Sequence, residues 1–181
     1  MKKFAIAILS ALSFGAFAAD YISVDVDSVS GRKGAQDSTA QYLRAGKDLG
    51  DYSVGFQSRT AKFADNSVKN SMEVYGSNKN ISVLGIKPFV GIGHDNGSAT
   101  AQSYNYGLVG ATYGRPVGPG FLLLGAKTRV GTTAATETKQ SVAFTTYSIP
   151  VAKGVALNLN ASRSYQDIKE NAYGLGLGFS F

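Results

Sequence analysis

The 181-residue chain contains no cysteine, no tryptophan, a single histidine and only four prolines. Without cysteine there is no disulfide framework, no zinc ribbon and no thiol nucleophile, and one histidine leaves most transition-metal sites without ligands. Charge is also sparse: Asp, Glu, Lys and Arg make up 17% of residues, against roughly 25% in an ordinary soluble domain. No apolar run reaches the roughly 20 residues that a membrane-spanning helix requires. Against these absences stand 22 glycines, 10 tyrosines and 10 phenylalanines, and a hydrophobic fraction of 44%. That fraction is too high for a disordered chain. The composition implies no cofactor and no metal centre.

The first residues read as a secretory signal peptide. Lys2 and Lys3 form the positive start, Phe4 to Phe14 the apolar stretch, and Ala16-Phe17-Ala18 the small-x-small end that a signal peptidase accepts. Cleavage before Ala19 divides the chain into residues 1–18, the signal, and 19–181, one domain. The processed chain keeps sixteen basic residues against twelve acidic ones, a net charge of about +4. So small an excess does not point to nucleic acid. Export through an oxidising compartment is compatible with the absence of cysteine.

Beyond the signal, one pattern recurs: about ten residues of alternating character, then a polar or glycine-rich break. The segments are 20–29, 39–49, 52–61, 70–78, 82–94, 104–114, 120–130, 139–149, 154–164 and 171–181. The last is the clearest, with Tyr173, Leu175, Leu177, Phe179 and Phe181 on one face and Gly174, Gly176, Gly178 and Ser180 on the other. The breaks alternate between long and short. Long polar loops follow the odd segments; Gly50-Asp51, Lys79–Ile81, Arg115–Pro119 and Pro150–Lys153 follow the even ones. This spacing predicts an all-β, up-and-down antiparallel transmembrane barrel of ten strands, with both termini at the short-turn end. Eight strands is the alternative, with 70–78 or 139–149, the least regular segments, as loop.

A signal peptide, ten alternating segments and a last strand ending in Phe181 together resemble the small outer-membrane β-barrel proteins of Gram-negative bacteria. The resemblance covers the processed chain and is architectural. It implies residence in the outer membrane after export through the periplasm, with membrane lipid and lipopolysaccharide as surroundings. It also implies that Tyr173, Leu175, Leu177, Phe179 and Phe181 form the C-terminal signal read by the barrel assembly machinery. A secreted soluble barrel of the lipocalin kind would have the opposite faces inward.

The polar faces hold the candidate interior: Asp25, Asp27, Tyr42, Arg44, Arg59, Glu73, Lys87, Lys127 and Arg129. A two-residue hairpin at Gly50-Asp51 sets Arg44 opposite Gln57 and Tyr42 opposite Arg59. Centring the next loops by eye places Glu73 opposite Arg59 and Asp25 opposite Arg44, which leaves Lys87, Lys127 and Arg129 without acidic partners. Five inward cations then face three acids, an excess of about two positive charges. These large side chains fill the lumen, so any current is small and favours anions. Tyr21, Tyr52, Tyr113, Phe121 and Phe181 fall near the turn end, and Tyr104, Tyr106 and Tyr165 near the loop end, where aromatic girdles belong.

No catalytic set emerges. Asp25-Val26-Asp27 and His94-Asp95 invite comparison with outer-membrane proteases of the omptin type, but Asp25 lies mid-strand rather than at the rim. Neighbours along a strand point to opposite faces, so Asp95 cannot orient His94 as a lipid-modifying triad requires. The sequence therefore predicts a non-enzymatic barrel with a structural or surface-contact role. The alternatives are a narrow, weakly anion-selective pore and, third, an outer-leaflet enzyme acting on peptide or lipid.

Overall fold

The structure, a computed structural model, describes residues 20–31, 36–96, 103–131, 139–166 and 169–181. Residues 1–18, which the sequence predicts to be a signal peptide, lie outside them. Ten strands follow in chain order: β1 Tyr21–Gly31, β2 Ser38–Leu49, β3 Tyr52–Phe63, β4 Val68–Asn78, β5 Ile86–Asn96, β6 Tyr104–Val117, β7 Gly120–Gly131, β8 Lys139–Ala152, β9 Val155–Gln166 and β10 Glu170–Ser180. Each pairs antiparallel with its sequence neighbours, and β1 closes on β10 from Tyr21–Ser180 to Gly31–Glu170. Segments 70–78 and 139–149 are both strands, so the barrel has ten and not eight. Closure leaves no unpaired sheet edge, which a lipid environment demands.

The turns explain where the strands stop. At Gly50-Asp51 the pairing runs from Leu49–Tyr52 through Arg44–Gln57 and Tyr42–Arg59, the register a two-residue hairpin dictates. Three connections differ from the sequence expectation. β6 continues through Arg115 and Pro116 to Val117, so only Gly118-Pro119 remains as the turn before β7. β5 starts at Ile86 rather than 82, because Val83 and Ile86 exchange backbone hydrogen bonds of 3.1 and 2.9 Å around Leu84 and Gly85. Both central residues have positive φ, 54° and 82°, so the apolar run 81–86 folds into a tight turn instead of extending. β8 in turn runs through Pro150 to Ala152, with a register shift between Pro150 and Ala152. Such an irregularity accommodates a residue with no N–H to donate.

The two faces of the sheet have opposite chemistry. Val90, Ile92, Val109, Leu175 and Leu177 point outward, and Ile92 is 72% exposed. Asp25 and Glu73 point inward, each 1% exposed. An apolar exterior around a charged interior inverts the soluble arrangement and suits a lipid surround. The aromatic assignments divide on the same basis. Tyr52 and Phe181 at the turn end, and Tyr165 and Tyr173 at the loop end, are exposed on the outer side. Tyr113 also faces outward, level with Ile86. Tyr21 and Phe121 instead line the interior, and Tyr106 is buried there with Tyr104 beside it. Strand parity decides this; in 104–114 glycine and alanine interrupt the alternation by which a sequence shows its phase.

Candidate functional site: the barrel interior

The interior is organised around two carboxylates. Asp25, on β1, forms an ion pair with Arg44 on β2. The same carboxylate accepts hydrogen bonds from Ser23 Oγ at 3.0 Å and Asn160 Nδ2 at 2.8 Å. Tyr21 supports this cluster from below by donating to Ser23 Oγ at 2.8 Å. Room for Asp25 comes from β10. A Cβ on Gly176 would collide with the Asp25 carboxylate and lie 2.6 Å from the Val24 carbonyl oxygen. Gly176, with Gly174 against Asp27, thus serves as clearance for the acidic side chains on β1.

Glu73, on β4, is held from across the lumen. Lys127 Nζ and Arg129 Nη2 on β7 each approach it to 2.5 Å, and Tyr106 donates its hydroxyl at 3.1 Å. Arg129 also donates to Gln140 Oε1 at 2.6 Å and sits 5.3 Å from the centre of the Tyr106 ring. One side chain joins the two centres. Gln57 accepts from Arg44 Nε at 3.0 Å and donates to Glu73 at 3.4 Å. A polar chain therefore runs from β1 through β2, β3 and β4 to β7. Charges so far from bulk water require such pairing.

All nine residues singled out in the sequence face this interior, but the partnerships differ from those expected. Asp25 lies opposite Tyr42, not Arg44, and reaches Arg44 diagonally. Glu73 lies opposite Gln57 and not Arg59. Arg59 lies opposite Ser71 and pairs with Glu170 at 3.5 Å. Lys127 and Arg129, expected to lack acidic partners, both sit on Glu73. For Asp25 and Glu73 the cause is a two-residue offset in both long loops, which preserves the face but changes the neighbour; for Lys127 and Arg129 it is closure, which brings β7 to face β4 across the lumen. Three further charged residues that the sequence reading leaves out of the interior also face it: Lys69, Asp95 and Glu170. Lys69 pairs with Asp95 at 3.2 Å. The signal for Asp95 was its parity against His94. His94 faces outward, between Asn105 Oδ1 at 2.7 Å and Asn96 Oδ1 at 2.6 Å, so the two neighbours do lie on opposite sides of the sheet.

Among the described residues, six inward cations (Arg44, Arg59, Lys69, Lys87, Lys127, Arg129) face five inward acids (Asp25, Asp27, Glu73, Asp95, Glu170), a positive excess of one. Neither Lys87 nor Asp27 has an ion pair among the described residues. Asp27 is 4% exposed, and its Oδ1 has no hydrogen-bond partner.

The lumen is not filled. A cavity of about 440 Å³ extends from Tyr21 and Phe121 at the turn end to Arg129 and Glu170 at the loop end. Only the charged belt around Glu73 spans the lumen; elsewhere the large side chains stay on the wall, because several aromatic rings lie over glycines of neighbouring strands. A Cβ on Gly125 would collide with the Phe144 ring, and one on Gly110 would collide with the Phe89 ring. At the loop end, by contrast, Val29, Ala40, Ala61 and Ala172 form a small apolar cluster with Tyr42 and Phe63 against it.

No family model and no curated protein matches this sequence. Solved structures do match. The translocator domain of the autotransporter NalP from Neisseria meningitidis is 13% identical, with 99% of this chain and 96% of that one covered and a TM-score of 0.53. The KdgM porin, solved in complex with disordered oligogalacturonate, is 9% identical over 89% of this chain and 99% of that one, with a TM-score of 0.50. At such identities the likeness establishes the fold alone. It agrees with the inverted faces and the closed register: this chain is a ten-stranded transmembrane β-barrel of the outer-membrane type.

Proposed function

We propose that the protein is a non-enzymatic integral barrel of the outer membrane, exported through the periplasm, whose interior is a charge-braced core. The observation that carries this reading is the continuous polar chain from Asp25 to Arg129, which ties β1 to β7 across the lumen. In this reading the outward apolar face meets membrane lipid and lipopolysaccharide. Tyr173, Leu175, Leu177, Phe179 and Phe181, all on the outer side of the last strand, present the assembly signal. The opposed orientations of His94 and Asp95 favour a structural over a catalytic role.

A second reading, a narrow passage for small anions, is favoured by the cavity and its single excess positive charge. Planar-bilayer conductance of the refolded protein separates the two. The braced core gives small, intermittent, weakly anion-favouring current, and a steady anion current moves the assignment to the passage. A large cation-selective conductance contradicts both readings.

A further inference from the structure

The turn-end half of the cavity has a chemistry distinct from the charged belt above it. Its walls carry Tyr75, Phe89, Phe121, Leu123 and Phe144, with the Tyr75 and Phe89 ring centres 5.6 Å apart. These rings are fixed by glycine clearances on adjacent strands, so the apolar wall is pre-formed. Lys87 stands on the same face of β5 as Phe89, two residues nearer the turn end. It is exposed, and among the described residues no carboxylate pairs with it. The other inward cations are already paired.

We propose that this half of the interior is a binding vestibule for small aromatic carboxylates. The aromatic body lies against the ring-lined wall and the carboxylate meets Lys87 at the mouth. Three features support this. The whole cavity of about 440 Å³, of which the vestibule is the turn-end part, falls within the roughly 300–1,000 Å³ typical of small-molecule sites. Preorganised apolar walls with a few placed polar groups are the usual construction of such sites. The unpaired Lys87 and the positive excess give the charge complementarity that selects an anion over a neutral analogue. The inference rests on the interior being the functional part of the barrel. Binding and conductance are separate measurements, so either can fail alone.

The test is a methyl NMR titration of the refolded protein in lipid nanodiscs with benzoate, benzyl alcohol and benzylammonium as probes. Benzoate should give saturable shifts at the Leu123 and Val142 methyls, which line the cavity. The lipid-facing Leu157 and Leu175 methyls should stay unmoved. Lys87→Gln, at an exposed site with no partner to lose, should weaken benzoate about fivefold, as loss of one solvent-accessible charge contact does. Benzyl alcohol should bind no better to the native protein than benzoate does to the variant. Equal affinity for benzoate and benzyl alcohol overturns the proposal. So do shifts confined to lipid-facing methyls, absence of saturation, or an unchanged benzoate affinity in Lys87→Gln.

Discussion

Replacing Glu73 with glutamine removes the one carboxylate on which two cations converge. The substitution is nearly isosteric, so little volume changes, and Tyr106 keeps an acceptor. What changes is charge: Lys127 and Arg129, both at 2.5 Å in the native barrel, are left facing a neutral amide and each other. Their side chains are only 12% and 11% exposed, and that of Glu73 is 1% exposed, so water offers limited compensation. Breaking a buried pair by removing one partner costs about 3–5 kcal/mol, whereas an exposed pair is worth about 0–1 kcal/mol. The exposures place Glu73→Gln in the upper range. Urea unfolding of the lipid-refolded barrel measures it, with a double-mutant cycle against Lys127→Met to isolate the coupling. Lys127→Met in the Glu73→Gln background should recover part of the loss, because it removes the unpaired charge. A wild-type midpoint for Glu73→Gln would show that the lumen is hydrated enough to screen the cluster, and the braced-core account would not survive.

Other substitutions address the same architecture. Gly176→Ala should destabilise by about 1–3 kcal/mol through overpacking against Asp25 and the Val24 carbonyl, whereas Gly107→Ala, with nothing within 4 Å of the added Cβ, should leave the urea midpoint unchanged. Equal effects would mean that β10 glycines are not clearance for the acids. Arg59→Ala should cost less than Glu73→Gln, because its contact with Glu170 is long at 3.5 Å and its loss leaves one charge without a partner rather than two; a larger loss than that of Glu73→Gln would contradict this ordering. At the turn end, the Asp20 carboxylate accepts from Lys47 Nζ and from the Asp48 N–H, both at 2.7 Å, and these bonds hold its pKa below the ordinary 3.8. A lowered folded pKa means the tie is present above the ordinary carboxylate value and is lost as pH falls through the lowered one. A carboxyl-carbon NMR titration with a midpoint at or above 3.8 would refute it.

Strand number, closure and the inner or outer side of nearly every charged residue were legible in the sequence. All depend on a period of two, which any strand imposes on its own residues. The hairpin at Gly50-Asp51 was legible for the same local reason: two turn residues leave one register open, and Tyr42–Arg59 and Arg44–Gln57 follow from it. The partners of the acids were not legible. Moving a long loop's centre changes a register by two residues without violating the alternation, so Asp25 and Glu73 kept their face and changed their neighbours. Contacts across the lumen are further out of reach of the sequence. Glu73 meets Lys127 and Arg129 only because closure brings β4 and β7 to face each other over the axis. The cavity is likewise a tertiary outcome. Side-chain volume alone predicted a filled lumen, but the ion pairs gather the long charged side chains into one belt and glycines let the rings lie flat on the wall, and only the closed barrel decides where the remaining space lies.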